Sequence, residues 1–167
     1  MSEATSPRPA SSPPRQSWSV RSAGPGDIAG IASAVGELLI ELGASPPPSE
    51  AMQDATRTIV EHPDAGALLL AEVDREIIGM LGASWQNAVR VPGPYGLIQE
   101  LWVHPRWRSQ AIGAALLEAL FERARGLGVT RVEVGLPGEG FSHLAATEAF
   151  YLNNAFTRNG VRMRRLL

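Results

Sequence analysis

The chain of 167 residues contains no cysteine, and all 15 of its basic residues are arginine, so lysine is absent too. Without thiols there is no disulfide scaffold, no thiolate metal site and no cysteine nucleophile. The simplest reading of the missing lysine is a GC-rich coding bias, with one chemical consequence: no side-chain amine here can be acylated. Excess charge is lacking as well, since 15 basic against 17 acidic side chains leave a net charge of -2. Nucleic acid and anionic membranes are usually met by a strong basic excess, so both are excluded as bulk partners. No apolar run approaches the roughly 20 residues of a membrane span, and the first residues lack the apolar core of a signal peptide. A cytoplasmic protein is the expectation.

What the chain does have is 44% hydrophobic residues, enough for a proper core. Residues 1–16, M-S-E-A-T-S-P-R-P-A-S-S-P-P-R-Q, are rich in proline and serine without apolar periodicity. That composition predicts a disordered tail ahead of a single domain over 17–167. The pattern of that domain is mixed α/β. Trp18 to Arg21 alternates like a strand, and Asp27 caps a helix with Ile28, Ile31, Val35, Leu38, Leu39 and Leu42 at helical spacing. Gly43 closes it, A-S-P-P-P makes a stiff loop, and Ser49 caps a second helix ending near His62-Pro63. Ala67 to Val73 and Ile77 to Trp85 read as a hairpin about Asp74-Arg75-Glu76, followed by a proline- and glycine-rich loop over Asn87 to Gly96. Leu97 to Val103 is a strand stopped by Pro105, and Ser109 to Leu127 the clearest helix, striped by Ile112, Leu116, Leu117, Leu120, Ala124 and Leu127. A strand over Arg131 to Leu136, a helix over Leu144 to Leu152 and a strand pair around Phe156 and Val161 to Leu166 complete the domain.

The stretch from Leu101 to Leu117, L-W-V-H-P-R-W-R-S-Q-A-I-G-A-A-L-L, carries the chemistry. A strand ends, a turn holds Arg106 and Arg108, and small residues open a helix. The first amides of a helix have no internal acceptors and sit at the positive end of its dipole. Small side chains at Ser109, Ala111, Gly113 and Ala114 leave room for an anion, and arginine stands ready to pair with it. A packed helix start with no ligand is the alternative reading.

The run V-H-P-x-x-R-x-x-A-I-G-x-x-L-L resembles the acetyl-coenzyme A motif of the GNAT superfamily of N-acetyltransferases, R/Q-x-x-G-x-G/A, filled here by Arg108, Ala111 and Gly113. Downstream, Ala149-Phe150-Tyr151-Leu152-Asn153-Asn154-Ala155-Phe156 resembles the family's A-x-x-F-Y-x-x-x-G-F block. The resemblance extends over Trp18 to Leu167. Departures stand at Ala111, Ser109 and Ala155, where glycine is usual, and at Leu144, where asparagine is common. An alanine there is strained if its φ is positive and harmless if negative.

The resemblance implies a mixed, mostly antiparallel sheet with two splayed parallel strands, flanked by about four helices. It implies acetyl-CoA as cosubstrate, with the pantetheine arm along Leu101, Trp102 and Val103 and the pyrophosphate on the amides of Arg108, Ser109, Gln110, Ala111, Ile112, Gly113 and Ala114. A bulge near Glu100 to Trp102 would splay the strand. No metal is implied. Glu100 is placed as the base that deprotonates an amine, or as a structural carboxylate or anchor for a cationic amine. Tyr151 stands at the family's general-acid position, or is a packed aromatic beside Phe150. The expected activity is acetyl transfer to a primary amine of a small molecule. A protein lysine or N-terminal acetyltransferase and a silent acyl-CoA-binding module are alternatives, and a homodimer is expected. Weaker candidates are Trp85 and Trp102 as pocket walls, and Glu37 and Glu41 as attractors of a cation. His104 and His143 lack metal partners.

Overall fold

A computed structural model describes residues 17–160 together with residues 163 and 165. Five strands form one sheet in chain order: β1 (Ser19–Ser22), β2 (Gly66–Val73), β3 (Glu76–Ala88), β4 (Val91–Val103) and β5 (Val132–Val134). The first four pair antiparallel, and β5 joins β4 in parallel. Four helices flank them: α1 (Ile28–Glu41), α2 (Ser49–Glu61), α3 (Ile112–Gly126) and α4 (Leu144–Asn153).

Alternation along β2 and β4 divides the core between the two sheet faces. On one face Leu69, Ala71, Leu81 and Ile98 pack with Ile112, Leu116, Leu117 and Leu120 of α3 and Tyr151 of α4. On the other, Leu68, Leu70, Met80 and Trp102 pack against Ile31 and Ala34 of α1. Burial of apolar surface on both faces fixes which side chains of β4 look toward α1 and which toward α3.

The turn joining β2 and β3 is a two-residue hairpin in which Asp74 (φ 48°) and Arg75 (φ 68°) both take positive φ. Helices α1 and α3 end in glycines of positive φ, Gly43 and Gly128. The next amides, of Ala44 and Val129, reach back to Leu39 O and Ala124 O at 2.9 Å.

Three expectations are corrected. The segment Asn87 to Gly96 is not a loop: β3 runs to Ala88 and β4 starts at Val91, leaving Val89 and Arg90 as the turn. Pro92, Gly93 and Pro94 lie in an irregularity between the pairs Gln86–Tyr95 and Ala88–Val91, ahead of the point where β5 joins at Gly96. Proline lacks an amide, so it is tolerated on a free strand edge. Helix α3 starts at Ile112 rather than Ser109, because Ser109 (φ 61°) and Ala111 (φ 62°) are left-handed. Phe156 is not in a strand, since Ala155 (φ 64°) turns the chain back on α4. Most of Val161 to Leu166 lies outside the described residues.

Candidate functional site

Strands β4 and β5 are paired at Gly96–Val132, Leu97–Glu133 and Ile98–Val134. β4 then continues to Val103 while β5 stops, so a gap opens beside Leu101 and Val103. The cause is a bulge: Ala83 faces Ile98 and Gly82 faces Glu100, leaving Gln99 as an extra residue. It sits just ahead of the expected Glu100 to Trp102, because the register shifts at Gln99.

The ladder settles which backbone groups face this gap. His104 N–H donates to Ile78 O at 2.9 Å, which places His104, Trp102 and Glu100 in the hydrogen-bonded pairs with β3. The amides and carbonyls of Leu101 and Val103 therefore point the other way, toward the opening. The Val103 carbonyl already accepts from Arg108 Nε at 3.0 Å. The Leu101 amide and carbonyl and the Val103 amide remain as an extended edge of the kind that binds a peptide-like chain.

At the end of β4 a short 3-10 turn, Pro105–Trp107, leads into the loop before α3. Among the described residues, the amides from Ser109 to Ala114 donate to no protein acceptor. Left-handed Ser109 and Ala111 alternate with neighbours of other conformation, which turns successive amides into one concavity. The three first amides of α3 add the positive end of its dipole. This arrangement fits a pyrophosphate, and the free edge beside it fits an amide-bearing arm.

Two residues of the motif work otherwise than the sequence suggested. Arg108 does not stand free for an anion: Nη2 donates to both carboxylate oxygens of Glu41, at 2.7 and 2.6 Å, tying the loop to the end of α1. Glu41 is accordingly not a free attractor of cations. Gly113 does not face the concavity. A Cβ there would lie 3.1 Å from Phe150 Cζ, so the missing side chain admits the ring of α4.

Glu100 projects from β4 to the α1–α2 face. It is largely buried and has no hydrogen-bond or ion-pair partner among the described residues, and burial pushes its carboxyl up to about 7. Space for it comes from Gly82, where a Cβ would come within 2.5 Å of Glu100 Oε2. A cleft of about 300 Å³ opens over it, lined by Ile59 of α2, Leu68, Gly82, Ser84, Gln99 and Glu100. The family resemblance singled out Glu100 but not Gly82, Ser84 and Gln99 beside it. The available signal was a glycine inside an apolar strand, which marks a close approach.

Tyr151 lies on the opposite face, buried against the α3 cluster. Its ring meets Phe150 and Phe156 edge-on, each centroid at 5.2 Å. Burial pushes its hydroxyl up to about 12, so it stays protonated. Trp102 is core rather than pocket wall, and Trp85 packs against Gly96 and the α3 cluster. A larger cleft of about 490 Å³ lies among Asp74, Glu76, His104, Arg106 and Gln110, bordering the anion loop. No group of three metal-ligating side chains occurs among the described residues, and no helix there is long and apolar enough to cross a membrane.

An α/β domain with an amide cradle at a helix start and a slot between diverging parallel strands is built to hold a long, phosphate-bearing thioester. The chain belongs to the acetyltransferase (GNAT) family, whose model matches residues 33–156; the family uses acetyl-CoA. Similar solved structures include the aminoglycoside N-acetyltransferase AAC(6')-Iy in complex with CoA, at TM-score 0.77 and 16% identity, covering 93% of this chain and 98% of that one. Glucosamine-6-phosphate N-acetyltransferase from Arabidopsis thaliana aligns at TM-score 0.71 and 16% identity, covering 90% and 98%. An integron cassette protein from the mobile metagenome of Cole Harbour Salt Marsh aligns at TM-score 0.74 and 23% identity, covering 89% of each chain. No curated protein matches the sequence.

Proposed function

We propose that this protein is an N-acetyltransferase that moves the acetyl group of acetyl-CoA directly to the primary amine of a small molecule. The observation that carries this reading is Glu100, a lone carboxylate raised to about 7 at the floor of a small cleft, on the strand whose free edge faces the gap. Acetyl-CoA, when bound, supplies the thioester carbonyl. The amides from Ser109 to Ala114 hold its pyrophosphate, and the free groups of Leu101 and Val103 hold its arm.

An alkylamine with a pKa near 10 arrives as ammonium and must lose a proton before it can attack. Glu100 takes that proton from the α1–α2 side. Its raised pKa matches it to this task near neutral pH, because a base is most effective when its pKa lies close to the working pH. One of the two unpaired amides of β4 is the donor for the carbonyl oxygen as charge develops on it, the other free groups being left to the arm. On the other face Tyr151 keeps its proton and can deliver it to the departing sulfur. Base and acid thus work from opposite sides of one strand.

The cleft volume favours a small acceptor over a polypeptide. The test is release of free thiol from acetyl-CoA over a panel of amines. Turnover of small primary amines, with acetylation on nitrogen seen by mass spectrometry, is the expected result. Tight acetyl-CoA binding with no turnover of any amine overturns the reading in favour of a silent binding module.

A further inference from the structure

Strand β3 continues past Gly82 to Ser84, two residues along on the same face and therefore about 7 Å away. The Ser84 hydroxyl oxygen accepts from Gln86 Nε2 at 2.9 Å and from Gln99 Nε2 at 3.0 Å. A hydroxyl has two lone pairs and one proton. With both lone pairs taken, what Ser84 can still offer is a donor. The second of its amide partners is the extra residue of the β4 bulge, so the feature that splays the strand also orients this hydroxyl. Elsewhere the cleft lining is apolar or neutral. Among the described residues Glu100 is its one titratable group, and its lining holds no arginine and no histidine.

We propose that this cleft selects a small primary amine carrying one neutral oxygen acceptor, a hydroxyl or an amide or ester carbonyl, with Ser84 as the specificity-determining donor to that oxygen. The proposal rests on the acetyltransferase reading of the same cleft. An acceptor bearing a carboxylate or phosphate would meet Glu100 without any cation in the lining. A polycation would bring charges that a single carboxylate cannot match. A plain alkylamine would leave the Ser84 donor orphaned against apolar surface, which carries a desolvation penalty.

The test is a matched set of acceptors with saturating acetyl-CoA: butylamine, 3-aminopropanol, β-alaninamide, β-alanine and spermidine. The alcohol and the amide should exceed butylamine in kcat/KM by about tenfold or more, with β-alanine and spermidine below both. Ser84→Ala should shrink that preference toward unity and Ser84→Thr should retain it, each variant being verified as folded by its thermal melt. Equal kcat/KM for butylamine and the oxygen-bearing amines overturns the proposal, as does a preference that survives Ser84→Ala. Best turnover of β-alanine or spermidine overturns it too. Each of these outcomes leaves the acetyltransferase reading standing. If no amine turns over although acetyl-CoA binds, it is the acetyltransferase reading that fails. Calorimetric titration of 3-aminopropanol into the CoA-loaded protein then decides the role of Ser84. Binding weakened by Ser84→Ala supports the donor assignment, and absent binding overturns it.

Discussion

Glu100 owes its chemistry to the absence of a neighbour. Gly82 gives it room, no cation among the described residues meets it, and burial pushes it up to about 7 from a reference of 4.5. A base works in its deprotonated form, so turnover should rise with pH through about 7 and level off above. Glu100→Gln should lower kcat by about 100-fold or more while acetyl-CoA affinity stays the same; an unchanged rate removes Glu100 from the mechanism. Linkage gives the same residue a second signature. The folded state binds this proton more tightly than the unfolded chain, so Glu100 erodes stability as pH climbs from about 4.5 to about 7. Glu100→Gln should abolish that decline and gain up to about 3 kcal/mol near pH 8, readable from denaturant melts at pH 5 and pH 8. Burial pushes Tyr151 in the same direction, up to about 12, so it remains a neutral donor throughout that range. Tyr151→Phe should lower kcat by about 100-fold without weakening acetyl-CoA binding, as measured by steady-state rates beside calorimetry.

The last turn of α4 shows how an element aims such a residue. Phe156 N–H reaches back to Tyr151 O and Ala155 N–H to Leu152 O, both at 3.1 Å, and the Phe156 ring lands on the Tyr151 ring. This closure needs a left-handed residue after the cap. At the ends of α1 and α3 that residue is glycine, and here it is Ala155 at φ 64°. Ala155→Gly should therefore stabilise the protein by about 0.5–1 kcal/mol, seen as a melting temperature higher by about 2–4 °C. Gly113→Ala acts on the same helix from the other side. The new methyl would press on Phe150 at about the 3.1 Å of its Cβ position, costing about 1–2 kcal/mol and lowering kcat more than acetyl-CoA affinity by displacing Tyr151. How legible these elements are follows from their periodicity. The α3 stripe from Ile112 to Ala124 is buried as its spacing predicts, and the capping glycines Gly43 and Gly128 end the helices they follow. The β3–β4 hairpin was hidden because Pro92, Gly93 and Pro94 carry a loop's composition inside a strand that is unpaired on one side. The positive φ of Ser109 and Ala111 stayed an open alternative in the sequence, because neither residue type announces it.

At the scale of the molecule, a net charge of -2 conceals a division of labour. Residues 37–64 hold Glu37, Glu41, Glu50, Asp54, Glu61 and Asp64 against a single Arg57. That segment includes all of α2, whose Ile59 lines the cleft over Glu100, whereas the cradle of unpaired amides lies beyond the end of β4. The two are joined by Arg108 and Glu41, which anchor the loop before α3 to the end of α1. Sequence made the cradle legible through spacing, but not this link, because pairing across 67 residues depends on how α1 crosses the sheet. With the proposed base Glu100 and acid Tyr151 on opposite faces of the sheet, and neither cysteine nor lysine anywhere in the chain, the architecture has no thiol or side-chain amine to store an acetyl group. The direct transfer proposed above requires both substrates to be bound together. Initial rates with acetyl-CoA and amine varied in turn should give intersecting rather than parallel double-reciprocal lines, since parallel lines are the mark of a covalent relay. Incubation with acetyl-CoA alone should correspondingly release no stoichiometric burst of thiol and leave the mass of the folded domain unchanged; a burst would place the acetyl group on a hydroxyl or imidazole and overturn direct transfer.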